Sequence, residues 1–473
     1  MKSSSRAPIL LSRVPCFSAL AVSLVPFAGI ADSKLEEEMF GGNSSSTPAT
    51  TTPTPSTSTN LPSPTPAVET NKSAPASEQL TLGGRLELQF LGSKTTSQNI
   101  GDAQFLQSSK AELYLDSRPT DELRGFVKGT LSNNGATSAA PAISVSETWI
   151  KWSGRGGLFT TLGKQKLKWG AATFWNPTDF LAVQPKDPFA PVDVRPGANL
   201  LKLHMPFEKS GNNLYLLADF ENATKSNDPR VAGRAEFNFA LAGLSGELTS
   251  TVAGGRKKPL QLGLDLNTSA GPVDLVVESA WTHKSNRDFY RRITAADGST
   301  DVEAFSRNSE TIGQVVAGLR YDLKYSESDS ANLSIEYFWN DFGADDSIIE
   351  AVSFLRGQSQ RLYLAKKYLG TSLVLLQPGS FNDSSIIFSG LWNLTDKSWF
   401  SRAAWTEKLN VKSNLILAVT RAGGLGEFRG GIPSSVAAEI RKSGRLGDLG
   451  TTLNTLEGLS QEWTLSATAG IDL

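Results

Sequence analysis

A chain of 473 residues with a formal net charge of -1 and 39% hydrophobic residues is long enough for two or three soluble domains or for one large barrel. So balanced a charge argues against a nucleic-acid-binding or polybasic membrane-surface role for the whole chain. After the N-terminus no apolar stretch is long enough to span as a helix, which excludes a helical membrane protein; a mean hydropathy of -0.21 still allows membrane strands, because their alternation keeps the average low.

Residues 1–31 read as a secretory signal peptide. Lys2, Arg6 and Arg13 supply the basic start, Cys16 to Ile30 the apolar core, and Gly29 and Ala31 the small residues before a cut after Ala31. Cys16 is the single cysteine, so the exported chain would have no disulfide and no thiolate metal site. Residues 32–78 read as a leader. The acidic run DSKLEEEMFGG is a solvated segment or, alternatively, a docking motif for a periplasmic partner. The Ser/Thr/Pro-rich stretch from Asn43 to about Ser77 has too few large apolar residues to bury a core, and reads as a disordered linker.

From residue 79 to residue 473 apolar and polar residues alternate in run after run. Leu82, Leu86, Leu88 and Phe90 interleave with Arg85, Glu87 and Gln89; Leu123, Val127 and Leu131 with Arg124 and Lys128; Leu333, Ile335, Tyr337 and Trp339 with Glu336. A period of two is the signature of strands with unlike faces. The fold predicted is all-β: a transmembrane antiparallel up-and-down barrel of about 18 strands, with 16–18 as the range. Short connections at 117–120, 153–156, 268–271 and 377–383 alternate with longer ones at 92–104, 170–198, 284–310, 343–360 and 422–460, as periplasmic turns and outer loops would. In that frame Trp169, Trp281, Trp339, Trp392, Trp399 and Trp463 all fall beside outer connections and predict an interfacial girdle. The last strand, EWTLSATAGIDL, ends on Leu473, an arrangement that makes sense if it pairs with the first strand.

These features resemble the porin-like outer-membrane proteins of diderm bacteria. The nearest likeness is to an uncharacterised group with a GRQ-x-x-x-WG signature followed by an Asn-Pro-x-Asp loop. Gly163-Lys164-Gln165, Trp169-Gly170, Asn176-Pro177-Thr178-Asp179 and Arg195-Pro196-Gly197 carry it here, with further likeness over 335–343 and 377–398. Such barrels usually end in Phe or Trp, and Leu473 departs from that. The resemblance implies a channel assembled by the barrel assembly machinery in outer-membrane lipid, and leaves its solute and oligomeric state, a homo-oligomer included, open.

Two sets of residues are candidates for the site. In general porins a third outer loop folds inward, which would make 170–198 a constriction loop stiffened by its prolines and charged by Asp179, Asp187, Asp193 and Arg195, with Asn176 at its turn; the alternative is an ordinary surface loop. The lumen would be lined by Arg124, Lys128, Lys164, Lys166, Lys168, Lys202 and His204 on one side and Glu236, Asp265, Glu278 and Glu336 further round. Opposed charged walls would favour anions near the lysines; solvated charges without net selectivity are the alternative. Only His204 and His283 are present, too few for a His-dependent hydrolase or an assembled metal site, and no phosphate-binding loop opens a helix. The expectation is therefore a non-enzymatic channel for passive diffusion of small hydrophilic solutes, without cofactor, metal or nucleic-acid partner. A surface-exposed structural or adhesion barrel with a plugged lumen is the alternative.

Overall fold

The computed structural model describes residues 79–473 apart from 97–102, 136–139, 189–194, 226–227, 242, 295–299, 327–328, 425 and 443–449. The signal peptide, acidic leader and linker read from residues 1–78 lie outside the described residues.

Eighteen antiparallel strands make one closed sheet, and two more form a separate hairpin. The first strand, β1 (Gln79–Thr96), pairs on one side with β2 (Ala103–Thr120) and on the other with the last, β20 (Ser460–Asp472). That closing seam runs from Arg85 opposite Asp472 to Thr96 opposite Ser460, with one irregularity at Lys94/Thr95. Closure gives every strand of the eighteen-stranded sheet two neighbours, so that sheet has no edge left to aggregate.

The sheet is inside out relative to a soluble protein. On β1, Leu82 is 74% exposed and Phe90 55%, whereas Arg85 is 8% and Glu87 4% exposed. The same split recurs around the barrel, with Leu162, Leu216, Val252, Leu262, Leu319, Ile335, Phe388 and Leu465 among the outward residues. In water such a surface would be unfavourable by roughly 25 cal/mol for each Å² of apolar area. Against hydrocarbon it costs nothing, and the alternation that defines the strands is thereby explained.

Most of the short turns among the described residues lie at one end. They include 121–122 between β2 and β3 (Leu123–Asn134), 271–272 between β10 (Lys258–Ala270) and β11 (Val273–His283), and 411–412 between β18 (Trp399–Asn410) and β19 (Ser413–Gly423). The other end carries the long connections, which are more ordered than loops. The one after β11 holds the hairpin of β12 (Asp288–Thr294) and β13 (Thr300–Ser306). The one between β15 (Ser330–Asn340) and β16 (Lys367–Leu376) holds helix α1 (Ser347–Leu355), and the one after β19 holds α2 (Ser434–Lys442) and α3 (Gly450–Leu456). Ile348, Ala351 and Leu355 of α1 pack with Val436, Ala437 and Ile440 of α2 and with Leu453 and Leu456 of α3, forming a small apolar cap at this outer end. Two expectations are corrected. The connection placed at 92–104 is mostly strand, since β1 continues to Thr96 and β2 starts at Ala103, and β9 (Leu244–Gly255) meets β10 at this outer end through Arg256 and Lys257 alone.

Trp281, Trp339, Trp392, Trp399 and Trp463 stand at the long-loop ends of their strands, and Trp392 faces Trp399 across one pair. Trp169 is the exception: it is buried inside with Phe180 and Leu181 against Leu200 and Leu217. The reason is that β5 (Phe159–Gln165) stops before it, so Trp169 belongs to the following loop and goes where that loop goes.

Candidate functional site: the lumen and its inward loop

The described residues of the connection between β5 and β6 (Ala198–Phe207), 166–188 and 195–197, enter the barrel. Two luminal carboxylates hold its first turn. Glu336 on β15 accepts from the amides of Thr173 and Phe174, the latter at 2.8 Å. Glu278 on β11 accepts from the Ala172 amide at 2.6 Å and Asn176 Nδ2 at 3.0 Å through one oxygen, and from the Thr178 hydroxyl at 3.1 Å through the other. Five donors thus converge on two buried carboxyl groups, which makes a firm anchor. Arg320 on β14 (Thr311–Lys324) donates to the Ala171 carbonyl from the same wall.

Aromatic packing completes the docking. Trp175 is fully buried; its ring centroid lies 5.4 Å from that of Phe338 and 5.6 Å from that of Tyr368, and its indole N–H donates to the Leu362 carbonyl at 3.1 Å. Two glycines make the approach possible. Gly170 has φ +88°, and a Cβ there would lie 2.5 Å from Asn176 and 2.8 Å from Glu278; a Cβ at Gly370 on the wall would lie 2.7 Å from Phe174. Further along, Asp179 accepts from Arg195 Nη1 at 2.9 Å, and the same nitrogen donates to the Gln184 carbonyl at 3.2 Å, pinning the loop's two limbs together. Asp187 comes within electrostatic reach of Arg402 on β18. Asp193 lies outside the described residues. The loop thus lines the outer half of the lumen from β6 round to β18.

The remaining candidates divide. Strand register puts Arg124, Lys128, Lys202, His204, Glu236, Asp265, Glu278 and Glu336 on the luminal face. Lys164 is corrected: it shares its strand face with outward Leu162, sits opposite Thr148, and donates to the Val145 carbonyl at 2.7 Å, so it lies outside the barrel near the rim. Lys166 and Lys168 follow the strand's end; Lys166 turns to buried Glu147 at 4.0 Å, and Lys168 is exposed.

Opposed walls of unlike charge are also corrected. Most luminal charges pair with a neighbour on the same wall: Lys128 with Glu112 at 2.8 Å, Arg124 with Asp116 at 2.7 Å, and Arg234 with Glu236 at 2.9 Å and Asp265 at 3.2 Å. Glu278 and Glu336 are taken up by the loop. Lys151 and Lys202, below the loop on the side of the short turns, make no ion pair among the described residues; the Lys151 ammonium sits 4.7 Å from the Phe159 ring centroid. His204 Nε2 meets Asn213 Oδ1 at 2.9 Å, and its ring stacks 4.4 Å from that of Tyr215. His283 meets the Thr311 hydroxyl at 3.0 Å on another strand.

Sequence reasoning missed Thr173, Phe174, Trp175, Phe338 and Tyr368. A signal was present for one of them, because Tyr337, Phe338 and Trp339 are three aromatics in a row, and Phe338 therefore puts a ring on the polar face.

A closed, even-stranded barrel with an apolar outer surface, a charged interior and most of its short turns at one end is a β-barrel of the bacterial outer membrane. No protein-family model matches the chain, and no curated protein matches it. Among solved structures it is similar to OccAB1 of Acinetobacter baumannii, at 10% identity over 83% of this chain and 97% of that one with a TM-score of 0.48. It is also similar to OccK11 (OpdR) of Pseudomonas aeruginosa, at 10% identity over 83% and 96% with a TM-score of 0.46, and to a variant of Rh. blastica porin, at 8% over 84% and 100% with a TM-score of 0.41.

Proposed function

We propose that the protein is a porin-like channel for passive diffusion of small hydrophilic solutes, with a preference for anions. The observation that carries the reading is the inward loop. It is anchored by Glu278 and Glu336 against one side of the lumen, which narrows the passage while leaving the opposite wall polar. A loop that narrows an aqueous lumen selects by size, and charges facing the narrowed water select by sign. Below it, Lys151 and Lys202 make no ion pair among the described residues and sit in a low-dielectric wall that raises the local anion concentration. No hydrolytic or redox step is part of the reading.

Planar-bilayer recording in a salt gradient is the test. Open-channel current with a reversal potential on the anion side, shifted toward cations by Lys151→Glu with Lys202→Glu, supports it. The shift shrinks at 1 M salt, where the screening length falls to about 3 Å. A plugged structural barrel is the second reading, favoured by the outer cap and by Phe428, which joins the loop's aromatic cluster from above. It gives no current under any condition.

A further inference from the structure

Three outer connections meet at one buried group of carboxyls. Glu350 comes from α1, Asp396 from the short connection 394–398, and Glu427 from the one-turn 3-10 helix Glu427–Arg429 after β19. They line a cavity of about 40 Å³ together with Arg361, Gly430 and Leu456. Glu427 is tied in from every side: Tyr368 Oη and Asn393 Nδ2 donate to Oε2 at 2.8 and 3.0 Å, and the Leu362 amide donates to Oε1. Asp396 accepts from the Glu427 amide and the Ser398 amide, each at 2.7 Å. Glu350 is different. It is 3% exposed, its Oε2 accepts from Asn393 at 3.2 Å, and its Oε1 is buried with no hydrogen-bond donor.

A buried carboxylate oxygen without a donor is costly, but a carboxylic acid can use the same position to donate to a neighbouring carboxylate. Asp396 is that neighbour. We infer that Glu350, Asp396 and Glu427 form a proton-operated latch that holds the three outer connections together at the barrel's outer end, shut while protons are shared among them and released as they ionise.

Several charged groups face the latch or border it. Arg361 attracts Glu427 but is committed to the Gly430 carbonyl at 3.1 Å. Arg429 donates to the Gly424 carbonyl at 3.3 Å. Arg292 from the β12–β13 hairpin bridges Asp346 at the start of α1 and Glu439 of α2 at 3.3 and 3.2 Å, on the cap's exposed side. Burial and the neighbouring carboxyls push Glu350 up to about 10 and Glu427 up to about 7, and burial raises Asp396 as well. Each group therefore holds its proton more tightly in the packed cap than in an open chain. The stabilisation is fully present at acid pH and is lost as pH rises from the ordinary carboxylate range through about 7 and on towards about 10.

The test follows a nitroxide on Ser435→Cys, an exposed position of α2, in a Cys16→Ser background of the full chain. The readout does not depend on current, so it separates failure of the latch from failure of the channel reading. The spectrum is expected to be immobilised at pH 5.5 and to sharpen reversibly between pH 7 and pH 10, while the barrel stays heat-modifiable on a gel. Glu350→Gln keeps a neutral donor in place and should remove the higher-pH part of the sharpening. If that variant does not assemble, Glu427→Gln serves, with the lower-pH part of the change lost. A wild-type spectrum that is flat with pH, or a Gln variant that sharpens as the wild type does, overturns the latch.

Discussion

Glu336→Ala isolates the anchor of the inward loop. It removes the acceptor from two amides, those of Thr173 and Phe174, while the β15 backbone keeps its pairing with Gly318 and Gly370. A buried donor left unpaired costs roughly 1–3 kcal/mol, so docking weakens by about 2–6 kcal/mol. At about 1.4 kcal/mol per tenfold, the undocked population rises by a factor of roughly 30 at the low end and roughly 10⁴ at the high end. Glu278 and the Trp175 packing still oppose release, so the expected behaviour is exchange between docked and undocked states. In single-channel records this appears as frequent steps to a higher conductance. In detergent, trypsin should cut the folded barrel at Lys166 or Lys186, sites half-buried in the parent. Glu336→Gln, which retains one acceptor, should fall between. Unchanged conductance together with unchanged resistance to trypsin would refute the view that Glu336 positions this loop.

The closing seam offers a stability test: Arg85 bonds Asp472 at 2.7 Å, Asn414 at 2.7 Å and Glu87 at 3.3 Å, so Arg85→Ala should cost about 3–5 kcal/mol and lower the temperature at which the barrel unfolds on a gel. Lys164→Glu should leave ion selectivity as it is, because Lys164 lies on the outer face, whereas Lys202→Glu should move the reversal potential. An epitope inserted at Gly357, in the connection that carries α1, should be reached by antibody on intact cells, and one at Gly271 should not; the opposite pattern would invert the barrel.

The barrel was legible because its cause is local. Outward Leu82, Leu86 and Leu88 and inward Arg85, Glu87 and Gln89 are set by the two-residue period of a strand, and hydrocarbon on one side with water on the other makes that period visible in the sequence. The inward course of the loop after β5 could be anticipated from its resemblance, but its anchors could not. Glu278 and Glu336 read as free luminal charges, since nothing near them in the chain announces that they meet the amides of residues 172 to 174 more than a hundred positions away. Lys164 shows the opposite limit. It was expected to line the lumen, yet which face was outside depended on Leu162 and on pairing with Thr148. The latch was invisible for a related reason: Glu350, Asp396 and Glu427 come from three separate connections, and only the closed barrel brings those connections to one place. Sequence by itself determined the wall, because a strand's faces are decided by residues two apart. The tertiary structure decided what fills and caps it, because those contacts join segments whose proximity exists only after closure.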